Sequence, residues 1–151
     1  MNKTLLQQIV ILSLILGAIL GVLSPVPYIG QIMLIFLLLF SAPIVMVYMI
    51  MAGKFDLTTI VDSITVGAIT GFCANLTFSF IFAAITWILA VGFHITPNMF
   101  LSAMITNSPV WLLLTFIIFI SVLCATTNAF TGCATHYVID FIRDMYERRK
   151  K

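Results

Sequence analysis

The sequence predicts an all-helical membrane protein whose four transmembrane helices form a compact bundle within a single domain, residues 1–151. Hydrophobic residues make up 62% of the chain and charged residues only 8%, whereas a soluble domain carries about 25% charged residues. Too few polar side chains are present to cover a surface that faces water. Four apolar stretches reach the roughly 20 residues that a helix needs to cross a membrane, and none alternates in polarity as a membrane β-strand would.

The elements follow from these stretches and from the residues that bound them. The predicted spans cover residues 5–24, 31–51, 60–92 and 109–142, and a basic helical tail follows at 143–151. Pro43 lies inside the second span and is expected to kink it, because proline cannot donate the backbone hydrogen bond of its turn. Thr59 and Asp62 form a capping pattern at the start of the third span. In the 93–108 loop, Thr96 followed by Pro97 predicts a short interfacial helix over 97–105.

The charges predict the orientation. Every basic residue falls on one side of the predicted membrane: Lys3, Lys54, Arg143, Arg148, Arg149, Lys150 and Lys151. The positive-inside rule makes that side cytoplasmic, which places both termini in the cytoplasm and the chain in the cell (inner) membrane. Trp87 and Trp111 lie at the ends of the third and fourth spans that face away from the basic residues, where an aromatic belt is expected.

Small residues recur at every fourth position in two of the spans. The first span carries Ser13, Gly17 and Gly21, and the third carries Ser63, Gly67, Gly71, Asn75 and Ser79. Helices in lipid associate through close backbone approach and interhelical hydrogen bonds, so such ladders predict packing faces. The pattern resembles glycine-zipper packing, a physical motif that unrelated proteins share. Duplication of a two-helix unit and independent convergence both explain why the ladder occurs twice.

The fourth span carries a partner row at the same spacing: Cys124, Asn128, Gly132, His136 and Asp140. Antiparallel helices rise equally per residue, so one assumed contact fixes all the others. Pairing the amides of Asn75 and Asn128 predicts four further contacts: Gly71 with Gly132, Gly67 with His136, Ser63 with Asp140 and Ser79 with Cys124.

Helix association is the first functional hypothesis. Once the third and fourth spans pair, the ladder of Ser13, Gly17 and Gly21 is expected to lack a partner inside the chain. A second copy or another membrane protein would then cover it, which predicts a homo-oligomer or an accessory subunit of a larger membrane complex.

A channel or a transporter of protons or small solutes is the alternative, because polar groups inside a membrane are expensive and often functional. Its polar path or relay would consist of Asn75, Asn128, Thr131, Thr135, His136 and Asp140. A weaker alternative is soft-metal handling, since Cys133 and His136 share one helical face. A purely structural role is the other interpretation, in which His136 is hydrogen-bonded to Asp140 and takes no part in transport or metal binding.

No catalytic set, phosphate loop or cofactor fingerprint is recognisable, so the sequence predicts no enzyme and no cofactor. A short basic tail next to a membrane favours lipid over nucleic acid as its contact. The tail residues expected to meet anionic lipid headgroups are Arg148, Arg149, Lys150 and Lys151.

Overall fold

The computed structural model describes residues 3–26, 29–53 and 59–150, and within these ranges the protein is helical without any strand. Its helices are α1 (Lys3–Leu23), α2 (Ile29–Met51), α3 (Ile60–Gly92), α4 (Met99–Asn107) and α5 (Val110–Lys150). Four of these, α1, α2, α3 and α5, are long and apolar enough to span a membrane. The predicted all-helical fold with four spans is confirmed, and the chain is a multi-pass membrane protein.

Helix α3 lies at the centre of the bundle. Helices α1 and α5 pack against different faces of α3, and α2 closes the bundle by contacting both α3 and α5. Two apolar clusters fill the space between the helices. One contains Ile9, Val45, Met46, Met49 and Val66, and the other contains Leu20, Leu37, Ala74, Phe78 and Cys124.

The ladder of α1 packs directly on the backbone of α3. A Cβ on Gly17 would overlap the backbone carbonyl of Ala74, and one on Gly21 would lie 3.0 Å from the carbonyl oxygen of Phe78. Ser13 is fully buried and donates a hydrogen bond to the carbonyl of Ile9. The expectation that this ladder lacks a partner inside the chain is therefore wrong, because a second face of α3 covers it.

The ladder of α3 packs on α5, but in a different register from the predicted one. A Cβ on Gly67 would overlap the carbonyl oxygen of Asn128, and one on Gly71 would lie 2.5 Å from that of Cys124. The predicted contacts of Gly67 with His136 and of Gly71 with Gly132 are displaced by one to two turns. A four-residue repeat packs equally well after a slide of one turn, so the ladder alone cannot fix the register.

Polar side chains cap two of the helices. Thr59 is the N-cap of α3, where its hydroxyl accepts a hydrogen bond from the Asp62 backbone N–H and donates one to the Asp62 carboxylate. The predicted cap is confirmed. Helix α4 begins at Met99, two residues later than predicted, because Asn98 rather than Thr96 is its N-cap and accepts from the backbone N–H of Leu101.

The two hairpins of the bundle differ in length. Helices α1 and α2 have 21 and 23 residues, whereas α3 has 33 and α5 has 41. At a rise of 1.5 Å per residue, α1 and α2 match a hydrocarbon core of about 30 Å, and α3 measures about 50 Å. The end of the bundle that carries α4 and the α1–α2 turn is called the α4 end. The opposite end, where α1 begins and α5 finishes, is called the terminal end.

Helices α3 and α5 each project at a different end. Since Gly21 lies against Phe78, the part of α3 beyond residue 80 extends past α1 at the α4 end by about 18 Å. Since Ser63 contacts His136, the part of α5 beyond residue 139 extends past the start of α3 by about 16 Å. The projecting part of α3 is apolar, whereas that of α5 mixes apolar with charged residues, and the helices of the shorter hairpin cover neither.

Replacing Gly17 or Gly67 by alanine tests the contacts on α3. Each added methyl would overlap a backbone carbonyl, so helices must separate, and we expect the free energy of unfolding to fall by about 1–3 kcal/mol. Unfolding in mixed micelles of detergent and dodecyl sulfate measures this loss. Gly92→Ala is the matched control, because no heavy atom lies within 4 Å of its added Cβ. Equal stability of the Gly67→Ala and Gly92→Ala variants would contradict the close contact.

Candidate functional site

The most completely bonded polar group in the bundle is the side chain of Asn128 on α5, which is fully buried. Its Oδ1 accepts from the Ser41 hydroxyl at 2.7 Å and from the Ala42 backbone N–H at 3.0 Å. Its Nδ2 donates to the carbonyl oxygens of Leu37 at 3.3 Å and of Cys124 at 3.0 Å. All four hydrogen-bonding positions of the amide are therefore occupied.

Helix α2 offers two backbone groups to Asn128 on the N-terminal side of Pro43. The N–H of Ala42 and the carbonyl of Leu37 both bond to the amide of Asn128. The carbonyl that Pro43 frees is that of Leu39, four residues earlier, so the proline does not account for the Leu37 contact, and the expected kink stays a prediction. The sequence pointed to Pro43 but not to Asn128 as a partner of α2. Ser41, which also bonds to the amide, was missed because no spacing links it to α5.

Asn75 does not meet Asn128, so the predicted pairing of the two amides is wrong. Asn75 Nδ2 donates to the hydroxyl of Ser121 at 3.0 Å, and Ser121 donates in turn to the carbonyl of Ile117 at 2.8 Å. The Oδ1 atom of Asn75 is buried without a hydrogen-bond partner. The pair links α3 to α5 above the level of Asn128, towards the α4 end. Ser121 lies seven residues before Asn128 on α5, a helical spacing that the sequence analysis did not use.

His136 links three polar groups near the terminal end. Its Nδ1 lies 3.3 Å from the hydroxyl of Ser63, and its Nε2 lies 3.3 Å from a carboxylate oxygen of Asp140. The His136 side chain is 7% exposed, whereas the Asp140 side chain is 48% exposed. Ser63 also lies 3.5 Å from the carbonyl of Thr59. The structure thus replaces the predicted contact of Ser63 with Asp140 by one through His136.

This Ser–His–Asp arrangement offers no accessible nucleophile, because the Ser63 hydroxyl is fully buried in the contact between α3 and α5. It also gives no route across the bundle. Asp140 and Thr59 both lie at the terminal end, so a proton passed along this chain would return to the side from which it came. What the geometry supports is a hydrogen-bonded clamp that holds α5 on α3.

The residues of the predicted polar path do not form one continuous line. Asn128, Asn75 and His136 belong to three separate hydrogen-bonded groups. Thr131 donates to the carbonyl of Asn128 and Thr135 to that of Thr131, so both hydroxyls are used within their own helix. Transport stays a prediction that these contacts do not favour.

The remaining sequence predictions concern two packing residues, Ser79 and Gly132, and the alternative of a metal site. Ser79 is half-buried on α3, and the carbonyl of its predicted partner Cys124 lies against Gly71. Gly132 lies against Ser63, with 2.7 Å between an added Cβ and the Ser63 carbonyl oxygen. Among the described residues, no group of three or more His, Cys, Asp or Glu side chains could hold a metal ion.

The basic tail continues α5 without a break. Arg148 and Arg149 are exposed on the projecting part of the helix. The side chain of Lys150 and the whole of Lys151, like Lys54 in the predicted inner loop, lie outside the described residues. Contact of this tail with anionic headgroups stays a prediction.

Replacing Asn128 by leucine tests the amide as a link between α5 and α2. Leucine has a similar volume but leaves the Ala42 N–H without its acceptor in a buried site, so we expect the free energy of unfolding to fall by about 1–3 kcal/mol. Thr126→Val is the control, because the Thr126 hydroxyl bonds only to Leu123 of its own helix. Equal stability of the two variants in mixed-micelle unfolding would show that the amide is not needed to hold α2.

Comparison of the chain with family models, with curated proteins and with solved structures finds no match. The contacts described above are therefore the basis for a functional proposal. They show a helical membrane bundle whose buried polar groups join α2, α3 and α5 to one another.

Proposed function

We propose that this protein acts through helix association in the membrane, as a parallel homodimer joined along one face of α5. The observation that carries the proposal is a line of exposed and half-buried side chains on α5, of which Ile120 packs against a core cluster of the bundle. This line, the α5 stripe, consists of Phe116, Ile120, Leu123, Thr127, Thr131, Ala134, Val138, Phe141 and Met145. Its members follow one another in steps of three and four residues, the spacing of one helical face.

The association surface differs from the one that the sequence suggested. The ladders of α1 and α3 are both used inside the chain, against α3 and α5 respectively. The α5 stripe is instead half-buried or exposed along its whole length. An exposed apolar face is normal where it meets lipid, but the stripe continues beyond the level at which the other helices end.

The projecting part of α5 carries the apolar stripe away from the rest of the bundle. Val138, Phe141 and Met145 are 56%, 63% and 51% exposed. Every described side chain from residue 141 to 149 is exposed. Because α5 is one continuous helix from the membrane onwards, it cannot turn this part down onto the bilayer surface. A helix alongside it is the cover that fits such a stripe.

The size of the side chains changes along the stripe in the way that association requires. Within the bundle, Thr127, Thr131 and Ala134 are small, which lets two backbones approach in lipid, where apolar burial gives no drive. Next to and within the projecting part, Val138, Phe141 and Met145 are larger. There, water can drive apolar burial, as at the a and d positions of a coiled coil.

A second copy of the chain fits the stripe in register. Two copies inserted the same way place their α5 helices parallel and at equal depth, related by a two-fold axis. If Val138 and Met145 occupy a positions, Asp144 falls at g and Arg149 at e. These two positions meet across a parallel two-stranded coiled coil. Asp144 and Arg149 are exposed and form no ion pair with another described residue, so each can pair with the opposite charge of the second copy.

The charge pattern of the sequence supports a cytoplasmic place for the terminal end, where the coiled coil would form. Arg148 and Arg149 would then lie close to the inner leaflet. A different membrane protein could occupy the same stripe, and the chain would then be an accessory subunit. The following experiment separates this outcome from self-association.

Cross-linking between single cysteines tests the dimer. The background carries Cys73→Ala, Cys124→Ala and Cys133→Ala, and Met145→Cys is added at an a position. Treatment of native membranes with bis(maleimido)ethane is expected to give a product of twice 16.8 kDa, because the two thiols face each other across the helix pair.

Arg143→Cys is the matched control, since it lies two residues away in the same exposed segment but at position f, on the outside of the pair. A product of another mass from Met145→Cys would identify a different partner. Equal yields from Met145→Cys and Arg143→Cys, or no product, would contradict the dimer.

Charge reversal tests the register. Asp144→Arg places two like-charged contacts across the dimer, and we expect it to weaken dimerisation by about fivefold, as surface ion pairs are worth about 0.5 kcal/mol each and two are lost. The double variant Asp144→Arg with Arg149→Asp restores opposite charges and is expected to recover the wild-type affinity. Native mass spectrometry in detergent at low salt measures the dimer fraction. A double variant that is weaker than the single one would exclude this register.

A further inference from the structure

A partly open cavity of about 120 Å³ lies at the α4 end of the bundle. It forms because α3 extends past the α1–α2 turn and α4 folds back over the resulting step. The α1–α2 hairpin provides one wall, α3 a second, and the start of α4 the third. The residues that decide its chemistry are Leu34, Phe78, Phe82, Thr86, Asn98 and Leu101.

The cavity walls are mainly apolar and aromatic. The rings of Phe78 and Phe82 lie stacked, with centroids 6.0 Å apart and an interplanar angle of 6°. Leu34 and Leu101 face the same space from the other helices. No charged side chain is among the described residues that line it, so an ion would lose its hydration there without compensation. A neutral molecule with an apolar body fits these walls.

Thr86 gives the cavity a deep polar group that has no hydrogen-bond partner. The residue is 2% exposed, and its hydroxyl oxygen makes no hydrogen bond. Threonine in a helix commonly bonds its hydroxyl to the carbonyl four residues earlier, as Thr77 does with Cys73 at 3.0 Å. Thr86 does not, although a buried hydroxyl without a partner is costly. A ligand that brings one hydrogen-bonding group would satisfy it.

We infer that this cavity is a binding site for a small neutral ring compound that carries one hydrogen-bonding oxygen, such as a phenol. The volume sets the size, because a cavity of about 150 Å³ lined by apolar side chains is known to hold benzene. The stacked phenylalanines favour a ring, which packs on them edge-on or offset. The oxygen of the ring compound pairs with the Thr86 hydroxyl. The site is independent of the α5 stripe, which lies on another helix.

Binding of 4-fluorophenol and of fluorobenzene to the full chain in nanodiscs, followed by ¹⁹F NMR, tests the site. Wild-type protein is expected to give a bound signal with both probes that empty nanodiscs do not give. Thr86→Val keeps the shape of the side chain but removes the hydroxyl, so we expect the affinity for 4-fluorophenol to fall about fivefold. Fluorobenzene has no oxygen, and its affinity should be unchanged, which also shows that the variant retains the cavity.

Two further variants complete the experiment. Thr77→Val removes a hydroxyl that already bonds to its own helix and should leave both probes unaffected. Leu101→Trp fills the cavity from α4 and should abolish both bound signals. Absence of any bound signal in wild type would overturn the proposal, since the cavity would then hold only water. Equal affinity of wild type and Thr86→Val for 4-fluorophenol would overturn the role of the hydroxyl.

Discussion

Backbone contact on two faces of α3 is the constraint on which the rest of the bundle depends. In lipid, leucine side chains gain nothing by leaving the acyl chains for each other, so helices must gain dispersion energy and hydrogen bonds at short range. Gly17 brings α1 onto the carbonyl of Ala74, and Gly67 brings α5 onto that of Asn128. Because α3 supplies a contact on each face, the bundle closes with α2 in the remaining gap. The larger core side chains fill what these contacts leave open.

Polar groups then select one register among several that the glycines allow. A ladder with a four-residue period packs almost equally well after a slide of one turn. Asn128 removes this ambiguity, because its amide reaches the Ala42 N–H and the Leu37 carbonyl of α2 in one position of α5 only. His136 adds a second fixed point through Ser63. Interhelical hydrogen bonds in membranes are worth about 0.6 kcal/mol on average, so such contacts specify the arrangement more than they stabilise it.

The sequence predicted what depends on one helix and missed what depends on several. Span lengths, the Thr59 cap and the all-helical fold follow from local patterns, and all three agree with the structure. The pairing of Asn75 with Asn128 was wrong because each amide has another partner, Ser121 for Asn75 and the residues of α2 for Asn128. The predicted register considered only the third and fourth spans, whereas the Asn128 amide bonds to α2.

The two ladders also show how identical motifs acquire different partners. Ser13, Gly17 and Gly21 face a parallel helix, whereas Ser63, Gly67 and Gly71 face an antiparallel one. If a two-helix unit had been duplicated with its contacts, the first ladder would pack on α2 as the second packs on α5. It packs on α3 instead, which favours independent convergence on one packing rule.

Unequal hairpin lengths explain both the α5 stripe and the cavity, and they also separate the two proposals. The longer hairpin extends past the shorter one at the α4 end through α3 and at the terminal end through α5. At the α4 end the chain covers the step itself, with α4, and the imperfect fit leaves the cavity beside Thr86. At the terminal end no described segment returns to cover α5, and the proposed second copy would cover the stripe there. No described α5 residue lines the cavity, and the projecting part of the stripe lies at the opposite end of the bundle, so a substitution in that part does not touch the cavity walls. The two proposals can therefore be tested separately. A dimer that binds no ring compound would support the dimer and contradict the binding site, and a monomer that binds the ring compound would do the reverse.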